Sequence, residues 1–233
     1  MGSLPRDRVM ANRAFFNTGV DFAGPIVTLV NKVQGRKNNK THVALYVCFA
    51  TKVINLELTS ELTSAAFRAT LRRFVGRRGN PQKIYNNNGT NIVGENRELT
   101  KMYKLVMAEV RTISDDVLAH QRIQWIFIPR GSPHMGGLWE AGVKSCKHHL
   151  KRTMGNKLLI DEELSLVLVQ IEAYLNSRPL CQLSNNPTDL QPLTPVHFLV
   201  GEALTGIPKV DLQDVSINRL LRSQLLQRMV QEF

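Results

Sequence analysis

The chain has 233 residues, 43% of them hydrophobic, enough for one large domain or a core with an appendage, and too apolar for general disorder. Thirty Lys and Arg against nineteen Asp and Glu give a net charge of +11, which favours polyanionic partners: DNA, RNA or an acidic membrane surface. The three cysteines are scattered with no CxxC, which argues against a zinc site and a disulfide framework and predicts buried thiols at Cys48 and Cys146. No apolar run approaches the roughly 18 residues that span a membrane, and the start carries no signal-peptide core, so an intracellular protein, nuclear or cytoplasmic and not secreted, is expected.

In chain order, residues 1–16 read as an extended arm. Thr18 to Pro25 reads as a short strand with Asp21 in its middle, stopped by Gly24-Pro25. Val43 to Ala50 is a near-continuous apolar run, as in a buried central strand, and Lys52 to Thr59 alternates like a half-buried one. These three predict an antiparallel meander. A helix is expected from Ser64 to Val75, capped by Thr63, with Phe67, Leu71 and Phe74 as its seam and Gly79-Asn80-Pro81 as its stop. Arg72, Arg73, Arg77 and Arg78 read as a solvated face. Lys83 to Tyr85 is a strand running into the Asn86-Asn87-Asn88-Gly89-Thr90 loop, and a further helix is expected over 94–108. Ile123 to Ile128 is a strand, and Gly131 to Gly137 a loop and the mobile element. Helices follow over 138–154, 162–176 and 220–230, the last being amphipathic. The order gives an α/β fold with helices on both faces of a five-stranded mixed sheet.

The segment from Pro133 to Leu150 is the most informative. At about 100° per residue, Glu140, Lys144, Lys147 and Lys151 share one stripe of a helix, and Trp139, Val143, Cys146 and Leu150 form an apolar stripe beside it. The helix can therefore bury one side and present an acid followed by a row of cations. The acid suits a divalent metal and the row suits phosphates. The commoner use of such spacing is a solvated face of i,i+4 Glu–Lys pairs. His148 and His149 read as surface or packing residues rather than ligands, and His134 as a structural or substrate-positioning residue. Acids at the ends of adjacent central strands, completed by a helix acid, can hold two hard divalent ions about 4 Å apart. Asp21 and Glu140 supply two such acids, while the fourth strand ends in Asn86-Asn87-Asn88.

In order, the chain carries Gly19-Val20-Asp21-Phe22-Ala23-Gly24-Pro25, Arg72-Arg73-Phe74-Val75, Arg78-Gly79 and Asn88-Gly89-Thr90-Asn91. It continues with the helix from His134 to Leu150, Ile171-Glu172-Ala173, Leu175-Asn176-Ser177-Arg178-Pro179-Leu180 and Leu193-Thr194-Pro195-Val196-His197-Phe198-Leu199. This combination resembles the integrase catalytic core of BEL/Pao-type LTR retrotransposons, within the retroviral integrase superfamily. The resemblance implies an RNase H-like fold, an Asp, Asp, Glu triad that binds Mg²⁺ or Mn²⁺, and DNA integration by 3′-end processing and strand transfer. Asp21 matches the first acid and Glu140 the third. Asn87 stands where the second aspartate belongs, which implies a degraded ligand and an impaired enzyme. Met135 and Ile92 replace aromatics of the pattern. Lys144, Lys147 and, less closely, Lys151 match DNA contacts, and Gly136 and Gly137 would let a loop close over DNA. Implied partners are retroelement ends, target DNA and further copies of the chain, with no membrane. The alternative is a non-catalytic nucleic-acid-binding or scaffolding domain derived from a retroelement. Expected boundaries are an arm over 1–16, the core over 17–182 and an extension over 183–233. The family's zinc module and small DNA-binding domain do not match within these residues, which suggests a core fragment or a decayed copy.

Overall fold

A computed structural model describes residues 5–31, 37–61, 63–86, 123–128, 133–184, 186, 191–204, 210–216 and 219–231. The main strands are β1 (Asn17–Leu29), β2 (Asn38–Cys48), β3 (Ile54–Thr59), β4 (Lys83–Asn86) and β5 (Gln124–Phe127). They form one sheet in the order β3-β2-β1-β4-β5. The β1–β2 and β2–β3 pairs are antiparallel, and β1–β4 and β4–β5 are parallel. The predicted five-stranded mixed α/β sheet is therefore the observed one, an RNase H-like arrangement. A minor two-stranded ribbon joins β6 (Cys181–Gln182) to β7 (Pro192–Leu193).

Helices cover both faces. Among the described residues they are α1 (Arg6–Val9), α2 (Ser64–Arg78), α3 (Pro133–Met154), α4 (Asp161–Asn176), α5 (His197–Val200) and α6 (Arg222–Gln231). Alternation along β2 sends Val43, Leu45 and Val47 into a core with Trp139, Cys146 and Leu150 of α3 and Leu164, Val167 and Ile171 of α4. Ala44, Tyr46 and Cys48 enter the opposite core with Phe67, Leu71 and Phe74 of α2. A strand buried on both sides has no polar register, hence the unbroken apolar run. Cys48 and Cys146 are buried free thiols, as expected, and burial pushes the Cys146 thiol up to about 12. Thr63 caps α2 as predicted: its hydroxyl accepts from the Ala66 N–H at 3.1 Å.

Several expectations change. β1 does not stop at Gly24-Pro25. Its register against β2 shifts between Ala23 and Ile26 and pairing then resumes, Ile26 with Thr41 through Leu29 with Asn38. A bulge absorbs the residues that could not continue the ladder. β3 is almost wholly buried rather than half-buried, because α2 lays arginines over its polar residues. Glu57, 2% exposed, accepts from Arg73 at 2.9 Å and Arg77 at 2.5 Å, and Asn55 accepts from Arg78 at 2.9 Å. The arginines read as solvated are thus partly structural. The first residues are not a plain extended arm. α1 docks through Asp7, which accepts from Lys83 at 2.8 Å and from the Tyr85 hydroxyl, and Phe15 is fully buried. The helix expected over 94–108 lies outside the described residues.

The free edge of β3 is closed by α4. The Asn176 side chain donates to the Ile54 carbonyl and accepts from the Ile54 N–H, both at 2.8 Å. Glu172 accepts from the Leu56 N–H at 2.8 Å and pairs with Arg78 at 2.5 Å. An edge whose backbone groups are taken by side chains cannot template another strand there. At the far end α6 returns to the first core, with Leu226 and Met229 buried in it and Arg222 donating to Glu163 at 2.9 and 2.7 Å.

Candidate nucleic-acid interface

Asp21 lies inside β1. On one side β1 stays paired with β2, Asp21 opposite Leu45. On the other, β1 pairs in parallel with β4 from Asn17–Lys83 to Val20–Asn86, Asn86 being the last described residue of β4. Asp21 is the next residue of β1. Crevices at the carboxyl ends of parallel strands are the usual ligand sites of open α/β sheets. Strand alternation places Val20 and Phe22 in the α2 core, so Asp21 shares the opposite face with Gly19 and Ala23, the face that carries α3. Asp21 is 8% exposed, and one carboxylate oxygen accepts from the Phe22 N–H at 2.8 Å. Asn87 lies outside the described residues.

Helix α3 packs closely on this face at Gly19. A Cβ on Gly19 would sit 2.3 Å from Cε3 of Trp139, so only glycine lets the indole lie flat on β1. Trp139 is fully buried and stacks on Phe49, with centroids 5.9 Å apart. Gly142 makes a second close approach, its hydrogen facing Leu45 side-chain atoms about 3.2 Å from where a Cβ would be. Glu140, next to Trp139, is therefore carried by the turn of α3 that packs on β1 two residues before Asp21.

The helix begins five residues earlier than expected, at Pro133, so Pro133–Gly137 is not a loop. Proline suits a first helical position. Gly136 and Gly137 each cost about 1 kcal/mol in a helix, but Met135 and Leu138 pack against the core beside Trp139 and hold the turn. His134, Gly136 and Gly137 are consequently helical. Glu140 lies two turns inside the helix, beyond the reach of an N-terminal dipole effect, which fades within the first turn.

The two stripes of α3 separate as predicted. Trp139, Cys146 and Leu150 are buried and Val143 is half-buried, whereas Glu140, Lys144, Lys147 and Lys151 are all exposed. Among the described residues none of these four forms an ion pair. The i,i+4 Glu–Lys pairs that such spacing allows are thus not formed. Among the described residues no group of three His, Cys, Asp or Glu side chains could hold a metal ion. Asp21 and Glu140 are carboxylates, the type of hard oxygen ligand that Mg²⁺ and Mn²⁺ take. His149 stacks edge-on against His148 and Tyr174, with centroids 5.2 and 5.1 Å away. Burial, then the neighbouring His148 and Arg152, holds its pKa below the usual histidine value.

The signature residues without an assigned chemistry do structural work that only tertiary contacts reveal. Glu172 and Asn176 seal the β3 edge. Arg178 donates to the Leu175 carbonyl at 2.6 Å and the Lys52 carbonyl at 2.8 Å, tying the end of α4 to the β2–β3 turn. His197 Nδ1 lies 2.8 Å from the Thr194 hydroxyl and accepts from the Thr194 N–H at 3.1 Å.

No family model and no curated protein matches the chain. Among solved structures it is similar to a chain of the simian T-cell lymphotropic virus intasome, determined by cryo-electron microscopy in complex with the PP2A regulatory subunit B56 gamma. The TM-score is 0.51 and the identity 14%, over 91% of this chain and 64% of that one. The chain thus has an integrase-like fold, and it spans less than two thirds of the viral chain. Among the described residues no helix is long and apolar enough to cross a membrane.

Proposed function

We propose that this chain is the catalytic-core unit of a BEL/Pao-type LTR retrotransposon integrase, a DNA-binding domain built for 3′-end processing and strand transfer and impaired in catalysis at Asn87. The observation that carries the reading is the Gly19–Trp139 contact. It seats the helix bearing Glu140 on the strand bearing Asp21, within an integrase-like fold, and leaves the lysine row facing solvent.

In this reading Asp21 and Glu140 would hold Mg²⁺ or Mn²⁺. When bound, the ions would activate a water or a 3′-hydroxyl for attack on a phosphodiester. The chain's own contribution is charge and position. Asp21 is fixed by its strand, Glu140 by the buried tryptophan beside it. Lys144 and Lys147, one and two turns beyond Glu140, would hold the phosphate backbone, with Lys151 a turn further on. Asn87 offers a neutral amide where a third carboxylate belongs, so the site would neutralise less charge and favour fewer ions. The partners are retroelement ends and target DNA, engaged by an assembly of several copies.

The deciding experiment is DNA-end joining in Mg²⁺ by the natural chain and by Asn87→Asp. The natural chain should join poorly and the variant better. Robust joining by the natural chain would overturn the impaired reading. No gain in a folded, DNA-binding variant would mean that position 87 is not the limiting lesion. The second reading, a non-catalytic nucleic-acid-binding or scaffolding domain, is favoured by the same asparagine. It predicts DNA binding by both proteins and joining by neither.

A further inference from the structure

A cleft of about 420 Å³ lies between the bulged part of β1 and the C-terminal half of α3, within the size range of small-ligand sites. Ile26, Leu150 and Met154 contribute its apolar wall, and Lys147, Lys151 and Lys157 its charge. No carboxylate lines it. Among the described residues none of the three lysines forms an ion pair. Two of them, Lys147 and Lys151, are exposed one turn apart on α3, and Lys157 is half-buried in the segment after it.

This combination selects a ligand class. A bare phosphate needs the cations but not the apolar wall. A purely apolar ligand needs the wall but gains nothing from three ammonium groups. A nucleotide uses both: its phosphate meets the lysines and its ring covers the aliphatic floor. The position agrees. Ala23, in the cleft's lining, lies two residues beyond Asp21 on the same face of β1, about 7 Å along the strand. Lys147 lies seven residues beyond Glu140, about 10 Å along the helix. A strand with one phosphate at the two carboxylates would bring its adjoining nucleotide to this cleft.

We infer that the cleft between β1 and α3 binds one unpaired nucleotide of a DNA strand, with Lys147, Lys151 and Lys157 on its phosphate and Ile26, Leu150 and Met154 under its ring. The inference rests on the DNA-binding reading of the same helix and extends it to a part of the surface away from the carboxylates.

The test is a methyl NMR titration of the whole chain with thymidine 5′-monophosphate, and separately with thymidine and with inorganic phosphate. The monophosphate should shift the Ile26, Leu150 and Met154 methyls, and inorganic phosphate at the same concentration should not. Lys157→Glu should weaken the monophosphate about tenfold, equivalent to about 1.4 kcal/mol, while Lys157→Arg keeps it. Unmoved methyls would overturn the inference, as would inorganic phosphate binding as tightly as the nucleotide. A duplex oligonucleotide run in parallel separates the two readings. Duplex binding that depends on Lys144, with silent cleft methyls, sinks the cleft alone. Absence of duplex binding at low salt sinks both.

Discussion

Gly19→Ala should push α3 off the sheet. The added Cβ would lie 2.3 Å from Trp139 Cε3 and 2.9 Å from Cζ3, both well short of the 3.4 Å at which ordinary contact begins. The ring has little room to retreat, since Trp139 is fully buried and stacked on Phe49. Overpacking of this kind costs about 1–3 kcal/mol. Taking about 2 kcal/mol, and about 2–4 °C per kcal/mol for a chain of this length, the melting temperature should fall by about 4–8 °C. The loss should depend on the indole. Trp139→Ala alone should cost about 3–5 kcal/mol by leaving a cavity. In the double variant the methyl added at position 19 would occupy part of that cavity, so the combined loss should fall short of the sum by about 1 kcal/mol or more. Urea denaturation of the four proteins measures the cycle. Strict additivity, or an unchanged midpoint for Gly19→Ala, would refute the claim that this glycine exists to seat the tryptophan.

Burial raises the Glu172 pKa, against the opposing pull of the Leu56 N–H and of Arg78 and Arg77. A carboxyl raised on folding contributes stability below its unfolded value, near 4.5, and loses it as pH climbs through the folded value. Glu172→Gln should therefore lose less stability than the natural chain as pH rises from about 4.5 to 7, and equal slopes in urea melts would contradict this. Met229→Ala should destabilise by about 2–5 kcal/mol because the side chain is fully buried in the first core, and a loss below about 0.5 kcal/mol would show that α6 adds little to it. Lys144→Ala with Lys147→Ala should weaken duplex DNA binding at every sequence and flatten the log–log salt slope by about 2, since each lost phosphate contact removes about 0.9. An unchanged slope would remove both lysines from the interface.

What the sequence made legible was periodicity. The run from Val43 to Cys48 has one solution, a strand covered on both faces, and the Trp139, Val143, Cys146, Leu150 spacing has one, a helix with that side inward. Two errors came from treating local breakers as final. Gly24-Pro25 interrupts one register but leaves Ile26–Leu29 free to pair again, and Gly136-Gly137 weakens a helix that Met135, Leu138 and Trp139 hold by packing. Tertiary contacts outbid propensity in both places. The roles of Glu172 and Asn176 could not be read at all, because an edge strand closed by side chains from another helix has no local pattern. Each looks like an ordinary polar residue until β3 and α4 are side by side.

The distribution of charge separates structural cations from available ones. Arg73 and Arg77 are bound to Glu57, Arg78 to Glu172 and Arg222 to Glu163, and Glu57 and Glu163 are each at most 5% exposed. A buried carboxylate left alone would be costly, so these arginines are committed to the fold. The lysines of α3 are the opposite case. Lys144 and Lys147, and Lys147 and Lys151, are helical neighbours of like charge, an arrangement that costs a few tenths of a kcal/mol per pair. Glu140 lies one turn before Lys144 and yet makes no ion pair with it. A surface selected for stability alone would alternate signs along this stripe. In the proposed DNA-binding reading an outside polyanion would supply the missing negative charge, and the stripe starts at the acid that the Gly19–Trp139 contact carries to β1. The same packing contact thus accounts for both the position of Glu140 and the direction in which the cations face.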